Sequence, residues 1–148
     1  MRHFLRAAAL STSLVTLLAA PLAAWETPQR GSQTRSDLMD AMRPHVEWIF
    51  GAPLLFRVDD LRVQGDVAFA MLEPIRPDGS TMHRGDLMLG RGADDIFEFG
   101  GPSVQVLYQR SGNTWVAVHW EIGASDAWWY WPELCPTWWS VIPEACAG

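Results

Sequence analysis

The residues best suited to acid–base chemistry lie close together in the second half of the chain. His119 and Glu121 are two positions apart in a predicted β-strand, so both side chains project from the same face, and Asp126 follows just beyond the strand. A histidine beside a carboxylate can act as a general base that the carboxylate orients. The alternative is an exposed polar face of a sheet, which is the simpler interpretation. His119, Glu121 and Asp126 are therefore catalytic candidates only.

The sequence contains no motif for another common chemistry. His45, His83 and His119 lie on unrelated segments, without the paired spacing of zinc ligands. No nucleophile elbow, P-loop or dinucleotide-binding glycine pattern is present. The acidic stretch at 94–98 lacks the alternating oxygen ligands of a calcium loop. We therefore expect no metal and no cofactor.

Tryptophan is concentrated near the C-terminus. Aromatic rings can clamp a segment onto a sheet through their large buried area, or they can remain exposed and bind sugar faces or protein partners. Adjacent rings at 128 and 129 cannot all point one way, so at least one ring should face solvent. We expect Trp120 in the core, and an exposed binding anchor at Trp129 or at a ring of the Trp138 and Trp139 pair. Six of the nine tryptophans form this cluster: Trp120, Trp128, Trp129, Trp131, Trp138 and Trp139.

The chain has two cysteines, Cys135 and Cys146, both near the C-terminus. In an oxidising compartment they should pair, because no other cysteine competes. On the chain-entropy model, a ring of this size stabilises the fold by about 3 kcal/mol.

The first residues have the pattern of a secretory signal peptide. Arg2 and Arg6 precede an apolar run at 7–20 that is too short to span a bilayer, and small residues precede Trp25. We predict a signal peptide over residues 1–24 with cleavage after Ala24, or after a neighbouring alanine, and a periplasmic or secreted product without stable membrane insertion. The alternative is an uncleaved membrane anchor.

The remaining chain is acidic. Two of the eleven basic residues and none of the seventeen acidic residues precede residue 25, which leaves nine against seventeen and a formal charge of −8. Nucleic acid and anionic lipid surfaces are poor partners for such a chain.

After a flexible leader at 25–33, residues 34–148 are predicted to form one domain that begins with a helix. Thr34 offers an N-cap with Asp37 three residues on, and apolar residues then recur at intervals of three and four. Pro44 should kink or restart this helix, and Gly51 should end it.

Strands account for most of the rest of the domain. Alternation at 54–58 shifts parity after Asp59-Asp60, which predicts a bulge, and a continuous apolar run at 67–72 predicts a strand buried on both faces. A hairpin joins strands at 103–110 and 114–122. Strict alternation places four residues of its second strand on the core face. These residues are Val116, Val118, Trp120 and Ile122.

The two remaining segments are rich in proline, glycine or tryptophan. Residues 73–102 are predicted as a long loop with a short strand near 87–89. Residues 127–131 form a brief helical turn that Pro132 stops, and an irregular C-terminal segment follows. The expected fold is α+β, with one helix on an antiparallel sheet of about four strands.

Several segments carry a resemblance to known proteins. Residues 37–44, 56–58, 67–69 and 114–116 resemble small exported proteins of Gram-negative bacteria, and the order of helix and strands resembles the NTF2-like and cystatin-like folds. The resemblance implies a helix on a curved sheet. It implies no residue role, because NTF2-like proteins include both enzymes and binding proteins.

Together these features favour a non-catalytic binding, inhibitory or adaptor module of the periplasm, with an envelope protein or a glycan as partner. The alternative is a small NTF2-like enzyme that uses His119 as acid or base. A further alternative is an immunity protein that blocks a toxin in the periplasm.

Overall fold

A computed structural model describes residues 25–147 of the chain. One helix packs on one face of a four-stranded antiparallel sheet of order β1-β2-β3-β4, and the C-terminal segment (residues 124–147) covers the other face. This confirms the predicted α+β class; the predicted signal peptide lies outside the described residues. The main elements are α1 (Gln33–Phe50), β1 (Leu55–Gln64), β2 (Val67–Ile75), α2 (Ile96–Phe99), β3 (Val104–Ser111), β4 (Thr114–Ile122), α3 (Cys135–Trp138) and α4 (Pro143–Cys146).

Helix α1 begins slightly earlier than predicted. Ser32 is the N-cap, and its hydroxyl accepts a hydrogen bond from the Arg35 amide at 3.4 Å. The predicted cap, Thr34, lies inside the first turn, because the hydroxyl two residues earlier is the one placed to accept. Within the predicted leader, Pro28 is buried and its carbonyl accepts from the Arg35 guanidinium. Contacts with the leader therefore help fix the start of α1.

The helix continues through Pro44 without a restart and ends where the sequence predicts. Gly51 adopts a φ of 73°, and its amide donates to the Glu47 carbonyl at 2.7 Å. A left-handed φ of this kind is readily adopted only by glycine, so Gly51 fixes the point at which the chain leaves the helix.

The first hairpin matches its predicted pattern. The register of β1 against β2 shifts between Val58 and Asp60, which is the expected bulge. Strand β2 is covered on both faces, because Ala68 and Ala70 face α1 while Phe69 faces the C-terminal segment. Strand β2 is thus the centre of both hydrophobic clusters.

The second hairpin contains a bulge that the sequence pattern did not reveal. Leu107 pairs with His119 and Tyr108 pairs with Ala117, so Val118 is left without a partner. The bulge inverts the parity of β4: before it, Trp115 faces α1 and is only 6% exposed, whereas Val116 is 43% exposed.

The predicted core face of β4 is therefore wrong for three of its four residues. Val116, Val118 and Trp120 are exposed, at 43%, 40% and 37%, and only Ile122 packs against the cluster beneath α1. Trp120 lies on the α1 side of the sheet, but at its edge, where the helix covers it incompletely.

The connection between β2 and β3 folds against the end of α1. The strand predicted near 87–89 does not form; a 3₁₀ turn at Arg84–Asp86 replaces it, and the Met88 amide donates to the Ile49 carbonyl. Arg76 donates to the Phe50 carbonyl and to Asp86, both within 2.9 Å. The hydrogen bond from Arg76 is the main reason that the pKa of Asp86 lies below its usual value.

The C-terminal segment contains two 3₁₀ turns, Trp128–Tyr130 and Pro132–Leu134, and two short helices, so it is more regular than predicted. The disulfide between Cys135 and Cys146 is present, as predicted. Within residues 25–147, no helix has the length and apolar character needed to cross a bilayer. The segment packs six buried residues against the sheet: Trp128, Trp129, Leu134, Trp138, Val141 and Ile142.

Candidate ligand-binding site

Strand β4 is the last strand of the sheet, so one side of its backbone has no strand partner. The Gly123 amide donates to the Ser103 carbonyl at 2.7 Å, which makes these two residues a hydrogen-bonded pair. Such pairs alternate along antiparallel strands, so Glu121 also bonds towards β3, whereas the amide and carbonyl groups of Trp120 and Ile122 point outwards. Among the described residues, no backbone hydrogen bond beyond the β3–β4 pairing reaches these outward groups.

A cleft of about 790 Å³ lies between this edge and the C-terminal segment. Four consecutive residues of β4 line it, although successive side chains of a strand point to opposite faces. A cavity that touches all four must run along the strand edge itself. Its lining residues are Val118, His119, Trp120, Glu121, Trp128, Trp131, Pro132, Glu133 and Leu134.

A second cleft, of about 550 Å³, lies on the α1 side of the same edge. Trp120 lines both clefts, and on this side its ring lies 4.7 Å from that of His45. Trp48 projects from α1 and is covered by the Arg91 guanidinium, 3.5 Å from its ring centre. We call the two clefts together the β4 groove. The second cleft is lined by Pro44, His45, Trp48, Ile49, Arg91, Gly92, Ala93, Ile96, Trp120, Glu121 and Ile122.

The wall opposite β4 is built on a buried tryptophan. Trp128 is buried, and the Trp131 ring meets it edge-on with ring centres 6.4 Å apart. Trp131 itself is 58% exposed, because Pro132 begins the next turn and directs the chain away. The indole N–H of buried Trp128 has no hydrogen-bond partner among the described residues.

Most of the charged side chains at the groove are acidic. Glu121 and Glu133 line the larger cleft, and Asp95 and Asp126 line an adjoining depression that shares Glu121, Trp128 and Trp131 with it. These four carboxylates are exposed and form no ion pair within the described part of the chain, where the salt bridges involve other acids. The surface is therefore suited to a cationic ligand.

The catalytic candidates are only partly brought together. His119 and Glu121 line the larger cleft with Glu133, whereas Asp126 lies in the adjoining depression. The His119 ring meets the Trp138 ring edge-on at 5.2 Å, and it makes no hydrogen bond to either predicted carboxylate. Residues 25–147 contain no group of three or more potential metal ligands.

The predicted binding tryptophans differ in exposure. Of the three alternatives for an exposed anchor, Trp129 and Trp138 are buried and only Trp139 is exposed; the Trp129 ring packs 5.0 Å from that of Phe69. The Trp138 indole donates to the Tyr108 carbonyl at 2.9 Å. Trp139 is 60% exposed and lies over the disulfide, outside the β4 groove.

Sequence analysis did not single out Trp131 or Trp48 as site residues. Trp48 is an apolar residue off the buried stripe of α1, next to buried Ile49, and this position is a signal that could have identified it. Comparisons with protein-family models, with curated proteins and with solved structures find no match to this chain.

Proposed function

We propose that this protein is a non-catalytic binding module of the bacterial envelope and that its ligand lies in the β4 groove. The observation that carries the proposal is a large cleft along an unpaired strand edge, walled by the exposed rings of Trp120 and Trp131. Exposed aromatic rings around a concave site are typical of ligand and partner recognition. An inhibitory or adaptor role fits the same surface.

Two features support a location in the envelope. The N-terminal sequence has the order of a signal peptide, and the Cys135–Cys146 disulfide is typical of oxidising compartments. Intact-mass measurement of protein from the periplasmic fraction should give a chain that begins at or near Trp25. Material that retains residues 1–24 would contradict the proposed export.

The binding proposal can be tested with a photo-crosslinking side chain at Val118 and, as a matched control, at Val116. The two residues belong to one strand and are similarly exposed, but only Val118 lines the groove. In envelope preparations we expect adducts from position 118 and not from 116. Equal labelling at both positions, or none at either, would contradict the proposal.

Two tryptophan variants identify the wall that the ligand contacts. In the Val118 crosslinking background, Trp131→Ala should remove most of the adduct, because it removes an exposed ring of the groove. Trp139→Ala should leave the adduct unchanged, since this equally exposed ring lies elsewhere. The opposite result would move the site to the surface over the disulfide.

A second candidate function is catalysis by His119. It is favoured by one observation, the presence of His119, Glu121 and Glu133 around the same cleft. A histidine and carboxylates around a cleft can supply an acid and a base. If the protein is an enzyme, His119→Ala should abolish turnover and leave crosslinking at Val118 intact; if it only binds, the variant should change adduct yield less than Trp131→Ala does.

A further inference from the structure

We propose that the occupant of the β4 groove is an extended segment of a partner protein that pairs with β4 as a fifth strand and carries basic side chains. This inference rests on the proposed function, because it names the ligand class of the same site. Pairing of this kind obtains affinity from main-chain hydrogen bonds and specificity from pockets for alternate side chains.

The open edge of β4 offers main-chain hydrogen-bonding groups to an incoming strand. Beyond the bulge at Val118, the outward amide and carbonyl groups of Trp120 and Ile122 are spaced as an incoming strand requires. The bulge disrupts the regular ladder, so pairing is confined to the end of β4, residues 119–122. The edge has no lysine or proline in this stretch to discourage it.

The two clefts of the β4 groove can receive the side chains of such a strand. Successive side chains of a bound strand point to opposite faces of the sheet, so one set enters the cleft beside the C-terminal segment and the other enters the cleft beside α1. A strand paired to this edge would fill both clefts, whereas a ligand on one face of the sheet would fill only one of them. The two clefts also differ in character.

The carboxylates at the larger cleft favour a ligand with basic side chains. Glu121 and Glu133 border the larger cleft together with Trp131, and an aromatic ring with carboxylates nearby is suited to arginine or lysine. Arg91 stands over Trp48 in the smaller cleft, which favours an apolar side chain there. A strand with alternating basic and apolar residues fits both. A second copy of this chain fits poorly, because pairing two β4 edges would bring acidic grooves together.

The test uses capped ten-residue peptides and the full mature chain. One peptide alternates arginine and valine, and a control alternates glutamate and valine. Two further arginine peptides carry N-methyl groups, either on every arginine or on every valine. Because only alternate residues of a strand bond to β4, one methylated set should lose at least about tenfold in affinity while the other binds within about threefold of the parent. The glutamate peptide should bind at least about tenfold more weakly than the arginine peptide.

A pair of protein variants probes the same hydrogen bond from the other side. Trp120→Ala and Trp120→Pro both remove the ring, but only the proline removes the outward amide, without breaking a bond to β3. The proline variant should bind the arginine peptide at least about threefold more weakly than the alanine variant. If the proline variant does not fold, the two methylated peptides still decide the question on the unmodified protein.

Equal affinities for the two methylated peptides, equal affinities for the arginine and glutamate peptides, or no peptide binding would overturn the inference. Groove-dependent crosslinking of a glycan from Val118, together with absent peptide binding, would overturn the strand-pairing inference and leave the proposed function standing. Absence of crosslinking and of peptide binding would overturn both. Self-association through β4, measured by sedimentation, would replace the partner with a second copy.

Discussion

The two edges of the sheet, β1 and β4, differ in how their outward backbone groups are hydrogen-bonded. At the β1 edge, the amide and carbonyl of Val63 both bond to Glu26 at 2.9 Å, so the chain pairs this edge with its own residues. At the β4 edge, the corresponding outward groups of Trp120 and Ile122 make no such bonds within the described residues. A sheet edge left unpaired is a hazard for aggregation unless it has a use.

The side chains at the two edges also differ. Strand β1 presents Arg57, Asp59, Asp60 and Arg62 near its bulge, and charges of this kind discourage pairing with another chain. The exposed part of β4 presents valine, histidine, tryptophan and a single carboxylate. The charges that protect an edge are thus placed on β1, whose end at Val63 is also paired with Glu26.

The C-terminal segment follows the same asymmetry. On the β1 side it is tied down by Arg62, which donates to the Val141 carbonyl at 3.1 Å and to Glu144 at 2.6 Å. On the β4 side it stands away from the strand and leaves the larger cleft. One segment thus serves both as a structural clamp and as a wall of the candidate site, and neighbouring tryptophans divide these two roles.

The sharpest division lies between Trp129 and Trp131. Trp129→Ala should lower the free energy of unfolding by about 3–5 kcal/mol, because a buried ring packed on Phe69 is removed. Trp131→Ala should change it by less than about 1 kcal/mol, since this ring is largely exposed. Urea denaturation of both variants measures the difference. Similar losses would mean that the wall of the groove is only part of the clamp.

The next prediction concerns the Cys135–Cys146 disulfide, which closes a loop within the C-terminal segment. Cys146→Ser should lower stability by about 3 kcal/mol through loss of the loop constraint, with the fold retained. Peptide affinity at the β4 groove should be unchanged, because neither cysteine lines it. Denaturation and binding measurements on one preparation check both statements; a large loss of affinity would show that the ring positions the groove.

A smaller loss of stability is expected when the hydrogen bonds from Arg62 to the C-terminal segment are removed. Arg62→Met should cost about 1–2 kcal/mol, because the guanidinium bonds Asp60, Glu144 and a carbonyl at a partly exposed position. The matched control is Arg57→Met on the same strand, whose exposed pair with Glu73 should be worth less than about 1 kcal/mol. Equal losses in the free energy of unfolding would contradict the role of Arg62 in holding the C-terminal segment against β1.

The architecture was predictable because it depends on local patterns. The apolar stripe of α1, the parity shift at Asp59-Asp60, the hairpin turn and the cysteine pair each leave a signal within a few residues. The second bulge, at Val118, leaves none, because valine suits either face of a strand. That single residue inverted the predicted core face for the part of β4 before it, so that Trp115 and not Val116 is buried, whereas Trp120 is exposed because it lies at the sheet edge.

The candidate site was less predictable than the architecture, because it depends on contacts between distant segments. Which of several neighbouring tryptophans is buried depends on how a segment with three prolines crosses the sheet, and this is decided by tertiary packing. Sequence reasoning correctly required an exposed ring in this segment but selected Trp129 as one candidate, whereas Trp131 and Trp139 are the exposed ones.

The most direct test of the open β4 edge is amide hydrogen exchange measured residue by residue. In the free protein, the amides of Trp120 and Ile122 should exchange rapidly, while those of His119 and Glu121, which bond towards β3, should be protected. Saturation with the arginine–valine peptide should slow exchange at Trp120 and Ile122 and leave the other two unchanged. Protection of Trp120 and Ile122 already in the free protein, or no change on peptide binding, would contradict the account.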